Sequence, residues 1–159
     1  MRTNCLLATV LMIPVFTAHG AAPDCSNLPG EWTNQLGSTL SIHSVDHGSG
    51  KILGSYVSPS GTQGEKEELV GWINSSQATS ESNVLAIAFS VQWGSYGSIT
   101  SWTGFCENKG GTPTITTFWH LVRSSSRFTW DHMLTGSDVF VPKVVGGNSD
   151  APNRTKHAD

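Results

Sequence analysis

Charge is scarce in this chain. Asp, Glu, Lys and Arg make up 13% of its 159 residues, the formal net charge is −3, and Lys and Arg nowhere form a run. A surface for nucleic acid or anionic lipid needs clustered cations, so neither nucleic acid nor membrane is expected as a partner. No segment sustains apolar residues at a helical period, which sets helical bundles aside. The longest apolar stretch, Leu6 to Phe16, is too short to cross a bilayer. His43, His47, His120 and His132 have no ligand-like spacing with carboxylates, so no metal site is expected. Cysteine is nearly absent, with three in all.

One of those three lies in a segment that reads as a secretory signal over residues 1–20. Arg2 supplies the positive start, Leu6 to Phe16 the apolar core, and Ala18-His19-Gly20 a small-x-small cleavage site. Cleavage removes Cys5 and leaves Cys25 and Cys106 in an oxidising compartment, where two remaining cysteines most simply pair. Closing so long a loop is worth about 4 kcal/mol in the chain-entropy model. Asn74-Ser75-Ser76 and Asn153-Arg154-Thr155 are glycosylation sequons, consistent with a secreted, extracellular protein. Length allows one domain, expected over residues 25–141, and residues 142–159 read as a polar, disordered tail.

What the chain does hold is Ser, Thr, Gly and six Trp, a composition that suits an all-β protein. Turn-forming clusters separate eight expected strands. These run from Gly30 to Leu36, Ser38 to Val45, Lys51 to Ser58, Glu68 to Ile73, Val84 to Trp93, Ser98 to Cys106, Thr112 to Arg123 and Phe128 to Val141. Short turns throughout predict a closed eight-stranded antiparallel up-and-down barrel with a ligand pocket at one end. A two-sheet sandwich is the alternative, but no long crossover connection is evident.

The stretch Gly30 to Ser38 organises the rest. Trp32, Asn34, Leu36, Ser38, Leu40 and Ile42 share one parity, so an extended chain points them to one face. An inward face carrying an amide and a hydroxyl needs explaining, because an unpaired buried polar group costs about 1–3 kcal/mol. Either Asn34 and Ser38 bond to loop backbone or they are there for a ligand, and the stretch alone leaves both open. Other strands add to the inward set: Gly54, Tyr56 and Ser58; Ser98, Thr100 and Trp102; Ile115, Thr117, Trp119, Leu121 and Arg123; Asp138 and Phe140. Small barrels with nothing to bind fill up with Val, Ile and Leu. Apolar walls with a few placed polar groups describe a pocket instead.

The motifs Trp32-Thr33-Asn34-Gln35-Leu36-Gly37-Ser38, Gly54-Ser55-Tyr56, Val91-Gln92-Trp93 and Ser98-x-Thr100-x-Trp102-x-Gly104 occur in that order. Phe118-Trp119-His120-Leu121 and Trp130 followed by Gly136-Ser137-Asp138-Val139-Phe140 complete the set. In order and spacing they resemble the avidins, secreted biotin-binding proteins, over about Cys25 to Val141. The resemblance implies a homotetramer of barrels, each holding biotin in its mouth. It implies that Asn34, Ser38 and Tyr56 donate to the ureido oxygen, that Ser58 and Asp138 take the ureido N–H groups, and that Thr100 approaches the thioether. Trp93, Trp102 and Trp119 would box the ring and tail, with Leu121 beside them and Ser98 at the carboxylate. Trp130 would be lent to a neighbouring subunit's pocket, and Cys25 and Cys106 match the disulfide of the vertebrate members. No cofactor is implied. Three positions depart from a vertebrate member: the connection Pro59 to Gly64 is shorter, Tyr96 replaces a small hydroxyl residue, and Asp138 replaces an amide.

Three rival readings are weaker. An enzyme needs a nucleophile or acid–base pair facing the cavity, and the inward faces offer Asp138 and Tyr56 without an inward His or Cys. A lipocalin-like carrier fits Gly30-Glu31-Trp32 but predicts a greasier cavity and a C-terminal helix. A protein-binding barrel of the protease-inhibitor kind needs no polar interior, so Asn34, Ser38 and Asp138 speak against it.

Overall fold

The computed structural model describes residues 22–74 and 84–143. The expected signal, Asn153 and the tail beyond Lys143 lie outside them. The described chain forms eight strands: β1 (Gly30–Asn34), β2 (Thr39–Val45), β3 (Lys51–Val57), β4 (Lys66–Ile73), β5 (Leu85–Trp93), β6 (Ser98–Lys109), β7 (Thr112–Arg123) and β8 (Met133–Pro142). Each pairs antiparallel with its neighbours in sequence, and β1 pairs with β8 to close the barrel. The up-and-down barrel is therefore the observed fold, and closure leaves no unpaired strand edge among the described residues.

Alternation drives the packing. Trp32, Leu40, Ile42, Ile52, Phe89, Val91, Trp102, Ile115 and Phe140 all point inward and are buried. A register shift between Ile42 and Ser44 marks a bulge at His43. It re-phases the strand, so Val45 and not Ser44 packs against the core.

The meander puts four of its seven connections at one end of the barrel and three at the other. Residues 35–38, 58–65, 94–97 and 124–132 surround one end, the mouth. The opposite end is the floor, where the lead-in before β1 folds across the opening. Asp24 turns that lead-in by accepting from the backbone N–H groups of Ser26 and Asn27. Leu28 is buried, and its carbonyl accepts from Trp32 Nε1 at 3.0 Å. The Cys25–Cys106 disulfide fixes the lead-in to β6 across a sequence separation of 81. Both ends of the barrel chain reach this floor, where Lys143 N donates to Glu31 O at 2.8 Å.

Two strand boundaries differ from expectation for clear reasons. β1 stops at Asn34, because Gln35 to Gly37 form a tight turn with Gly37 at φ +78°. Leu36 is thrown outward by that turn and is 67% exposed, although its parity predicts an inward position. β8 begins at Met133 rather than Phe128, because Thr129–Asp131 form a short 3-10 turn.

Candidate functional site

The inward polar residues converge on Asp138. Its Oδ1 accepts from Asn34 Nδ2 at 2.9 Å and from Gln35 Nε2 at 3.2 Å. Its Oδ2 accepts from Trp102 Nε1 at 2.8 Å. The carboxylate is 3% exposed, so these bonds operate with little competition from water. Three donors on one carboxylate also leave Oδ2 with acceptor capacity for one more N–H.

Of the two roles left open by its sequence, Asn34 makes the bonds to loop backbone. Its Oδ1 accepts from the backbone N–H groups of Leu36 at 3.0 Å and Ser38 at 2.8 Å, holding the turn. Its Nδ2 faces the barrel interior and reaches Asp138 and, more distantly, Tyr56 Oη at 3.4 Å. The amide is thus oriented by the loop and presented to the interior. Among the described residues no buried side-chain nitrogen or oxygen lacks a partner.

Tyr56 stands between this cluster and the aromatic wall. Its ring lies 5.0 Å from that of Trp102 and meets Trp93 edge-on at 5.7 Å. Burial pushes its phenol above the usual range; a hydrogen bond with Ser38 works the other way, and the Asp138 charge adds to the rise. The hydroxyl therefore stays a donor at neutral pH. Trp93 Nε1 donates to Thr100 Oγ1 at 2.7 Å, tying the wall at β5 to β6. Thr117 Oγ1 donates to the Asp138 carbonyl at 3.2 Å and fixes the backbone beneath the carboxylate.

The remaining expected residues fall into three groups. Ser58 is half-buried just past β3, and its Oγ accepts from Gly61 N at 3.1 Å within the mouth loop. Ser98, Trp119 and Leu121 are half-buried on inward positions of β6 and β7, and Ser98 is paired in register with Arg123. Trp130 is outside the barrel altogether. It is 78% exposed and stacks on Phe128 with centroids 4.8 Å apart. The turn carrying it is fastened by Arg123, whose Nε donates to the Asp131 carbonyl at 2.8 Å and whose guanidinium meets the Asp131 carboxylate at 2.6 Å. The His132 ring adds a bond from Nδ1 to the Arg123 carbonyl at 2.8 Å.

Gln35 is the residue that sequence reasoning passed over. Beyond its bond to Asp138, its Nε2 donates to the Ser137 carbonyl at 3.1 Å and its Oε1 accepts from Val139 N at 3.0 Å. It stitches the first turn to β8. Its place inside the Trp32–Ser38 motif was the available signal. Asn74, the described sequon residue, is exposed, and its Oδ1 accepts from Ala86 N at 3.0 Å.

On the outer wall, β7 and β8 form a shallow depression of about 340 Å³ lined by Phe118, Trp119, His120, Thr135, Gly136 and Ser137. It is separate from the polar cluster. Gly136 itself shares the inward face with Asp138 and Phe140, where its missing side chain makes room for the Trp119 indole: a Cβ there would overlap the ring. Phe118 beside the depression is 70% exposed, and His120 has the outward position its parity predicts.

A closed up-and-down barrel with a buried carboxylate–amide–phenol cluster at its mouth defines a ligand-holding barrel. Comparison with known proteins gives its lineage: the model of the Avidin family matches residues 22–143, and the chain belongs to that family. It is 35% identical to Afifavidin of Afifella pfennigii over 118 residues, covering 69% of this chain and 65% of that protein. It is 32% identical to Avidin of Gallus gallus over 127 residues, covering 77% of this chain and 80% of that protein. Among solved structures, apo shwanavidin shares 35% identity at a TM-score of 0.59, covering 73% of this chain and all (100%) of that one. Xenavidin shares 29% identity at a TM-score of 0.62, covering 76% of this chain and 100% of that one.

Proposed function

We propose that this barrel binds biotin non-covalently and with high affinity in its mouth, as a binding protein and not an enzyme. The observation that carries the reading is the burial together of the Asp138 carboxylate, the Asn34 amide N–H and the Tyr56 hydroxyl. A cyclic urea presents N–H groups on its sides and a carbonyl at its apex. Asp138 Oδ2 and Ser58 Oγ would accept the N–H groups, while Asn34, Ser38 and Tyr56 would donate to the carbonyl. Donors converging on that oxygen while an anion faces the N–H side polarise the urea in one direction, so the bonds reinforce one another. Trp93, Trp102, Trp119 and Leu121 would enclose the ring system, Thr100 would meet the sulfur, and Ser98 would meet the tail.

The reading extends to assembly and address. The protein would form a homotetramer in which Trp130 of each subunit covers a neighbour's mouth; its high exposure on a fastened turn supports this. The outer face bearing Phe118, Val122 and Met133, all exposed, is apolar enough to be a subunit contact. Residues 1–20 would direct secretion, residues 25–141 would be the working domain and residues 142–159 a tail. Asn74 and Asn153 are candidate glycosylation positions.

Calorimetric titration of the purified protein with biotin tests the function directly. Saturable binding at one site per chain is expected, with dethiobiotin competing and retinol or a fatty acid failing to compete. Absence of heat with biotin, or displacement of biotin by fatty acid, would overturn the reading.

A further inference from the structure

Five inward or rim positions surround the place where a ligand's tail would leave the barrel: Glu67 on β4, Trp93 at the end of β5 with Gly94 just past it, Ser98 on β6 and Arg123 on β7. Glu67 was not foreseen in the sequence. It is the register partner of Tyr56 and shares its face of β4 with the buried Leu69 and Gly71, so it points inward one residue from the strand's mouth end. Its carboxylate reaches across to β5, where Oε1 lies 3.0 Å from the position a Cβ on Gly94 would take. Gly94 has φ +28°, and the bare backbone there gives the carboxylate its room.

The charges around it do not cancel it. Arg123, the inward cation at this end, is held by Asp131 at 2.6 Å and by a bond to the Asp131 carbonyl. Arg127 lies over the Phe128 ring, outside the barrel. Lys66 has the outward parity and is exposed. Glu67 takes part in neither ion pair formed among the described residues. An inward carboxylate with no cation of its own therefore sits on the tail's exit path.

From this the geometry points to Glu67 as a specificity-determining residue that disfavours a free carboxylate tail and favours a neutral, amide-linked one. The preferred ligand class is then biotin joined through an amide, as on a lysine side chain, rather than the free vitamin. This rests on the biotin reading above and refines it. Two like charges separated by several ångströms at a half-wet rim repel by an amount worth about three- to ten-fold in affinity at low ionic strength.

The test compares biotin with biotin amide on the intact protein by dissociation rate and calorimetry, in about 10 mM and about 1 M salt. The quantity read is the preference for the amide. Glu67→Gln should reduce it by about three- to ten-fold at low salt and Glu67→Lys should invert it, while high salt should compress all three proteins toward one value. Glu68→Gln, on the exposed outer face of the same strand, should keep the parental preference. A preference untouched by Glu67→Gln, or moved equally by Glu68→Gln, would overturn the inference while leaving biotin binding intact. If neither ligand bound the parent, the biotin reading itself would fail and this inference with it.

Discussion

Trp102 Nε1 donates to Asp138 Oδ2 across 2.8 Å, so a core aromatic ring and the buried carboxylate are held by one bond. The same ring stacks on Phe89 at 4.9 Å and tilts against Tyr56 at 5.0 Å. Moving the carboxylate therefore moves the aromatic stack.

Asp138→Ala should be the most damaging change in the cluster, because it strands the donors of Asn34, Gln35 and Trp102 together. A loss of more than about 3 kcal/mol in stability is expected, with biotin binding falling further. Asp138→Asn should be the mildest change at that position, since its oxygen can serve Asn34 and Gln35 while Trp102 loses its acceptor. Ser98→Ala should cost less than Asp138→Ala, its partner being near water at the mouth. Denaturation midpoints and titrations of the three variants would decide it, and equal losses would mean the pocket is wrongly read.

The Tyr56 phenol gives a pH dependence with a definite sign. The unfolded chain releases this proton near pH ~10, while the folded chain, with the phenol buried, holds it to higher pH. Stability from this group is whole below pH ~10 and fades as pH rises from there through the folded value. Tyr56→Phe should flatten the fall in unfolding free energy above about pH 10. An equal fall in the variant would assign the alkaline loss elsewhere.

Reducing the Cys25–Cys106 bridge should lower the thermal midpoint, with about 4 kcal/mol as the scale from the chain-entropy model. The bridge lies at the floor, away from Asp138, so biotin affinity should hold and the saturated protein should remain folded. Loss of binding on reduction in a protein that still shows its strand signal would contradict this separation.

Trp130→Lys should weaken assembly and speed biotin release by roughly thirty-fold, the scale of a buried aromatic hot spot. Light scattering and dissociation rates read the two effects. A monomer that keeps biotin as firmly as the parent would remove Trp130 from the site.

Gly136→Val tests the seat of the inward Trp119 indole. Its side chain would collide with the Trp119 indole, and overpacking of this kind costs about 1–3 kcal/mol. Unchanged stability and unchanged Trp119 fluorescence would show that the indole has room to retreat.

Much of the architecture was legible because alternation is a local code. Trp32, Leu40, Tyr56, Trp102 and Phe140 reveal their direction by parity alone, and turn residues mark where strands end. The code fails where the backbone stops being extended. Leu36 keeps inward parity yet faces water, because parity loses meaning inside the Asn34–Ser38 turn. The bulge at His43 is invisible for the same reason. The late start of β8 depends on Arg123 gripping Asp131, a contact between two strand ends that no local pattern announces. In the site, Asn34, Ser38, Tyr56 and Asp138 stood out because polar groups on an inward face are anomalous. Gln35 sits in a turn, where polar residues are ordinary, and Glu67 sits at a strand end, where a charge is ordinary. Neither carries a signal until the register places them.

The pairing of β1 with β8, with Lys143 N bonded to Glu31 O, brings the two ends of the barrel chain side by side at the floor. A short linker could therefore join them and the chain be opened instead in one of the floor turns, such as Gly110-Gly111, without moving any strand. Such a circular permutant would keep all four mouth loops uncut. It would also let a fusion partner enter at a different strand while still leaving from the end opposite the mouth.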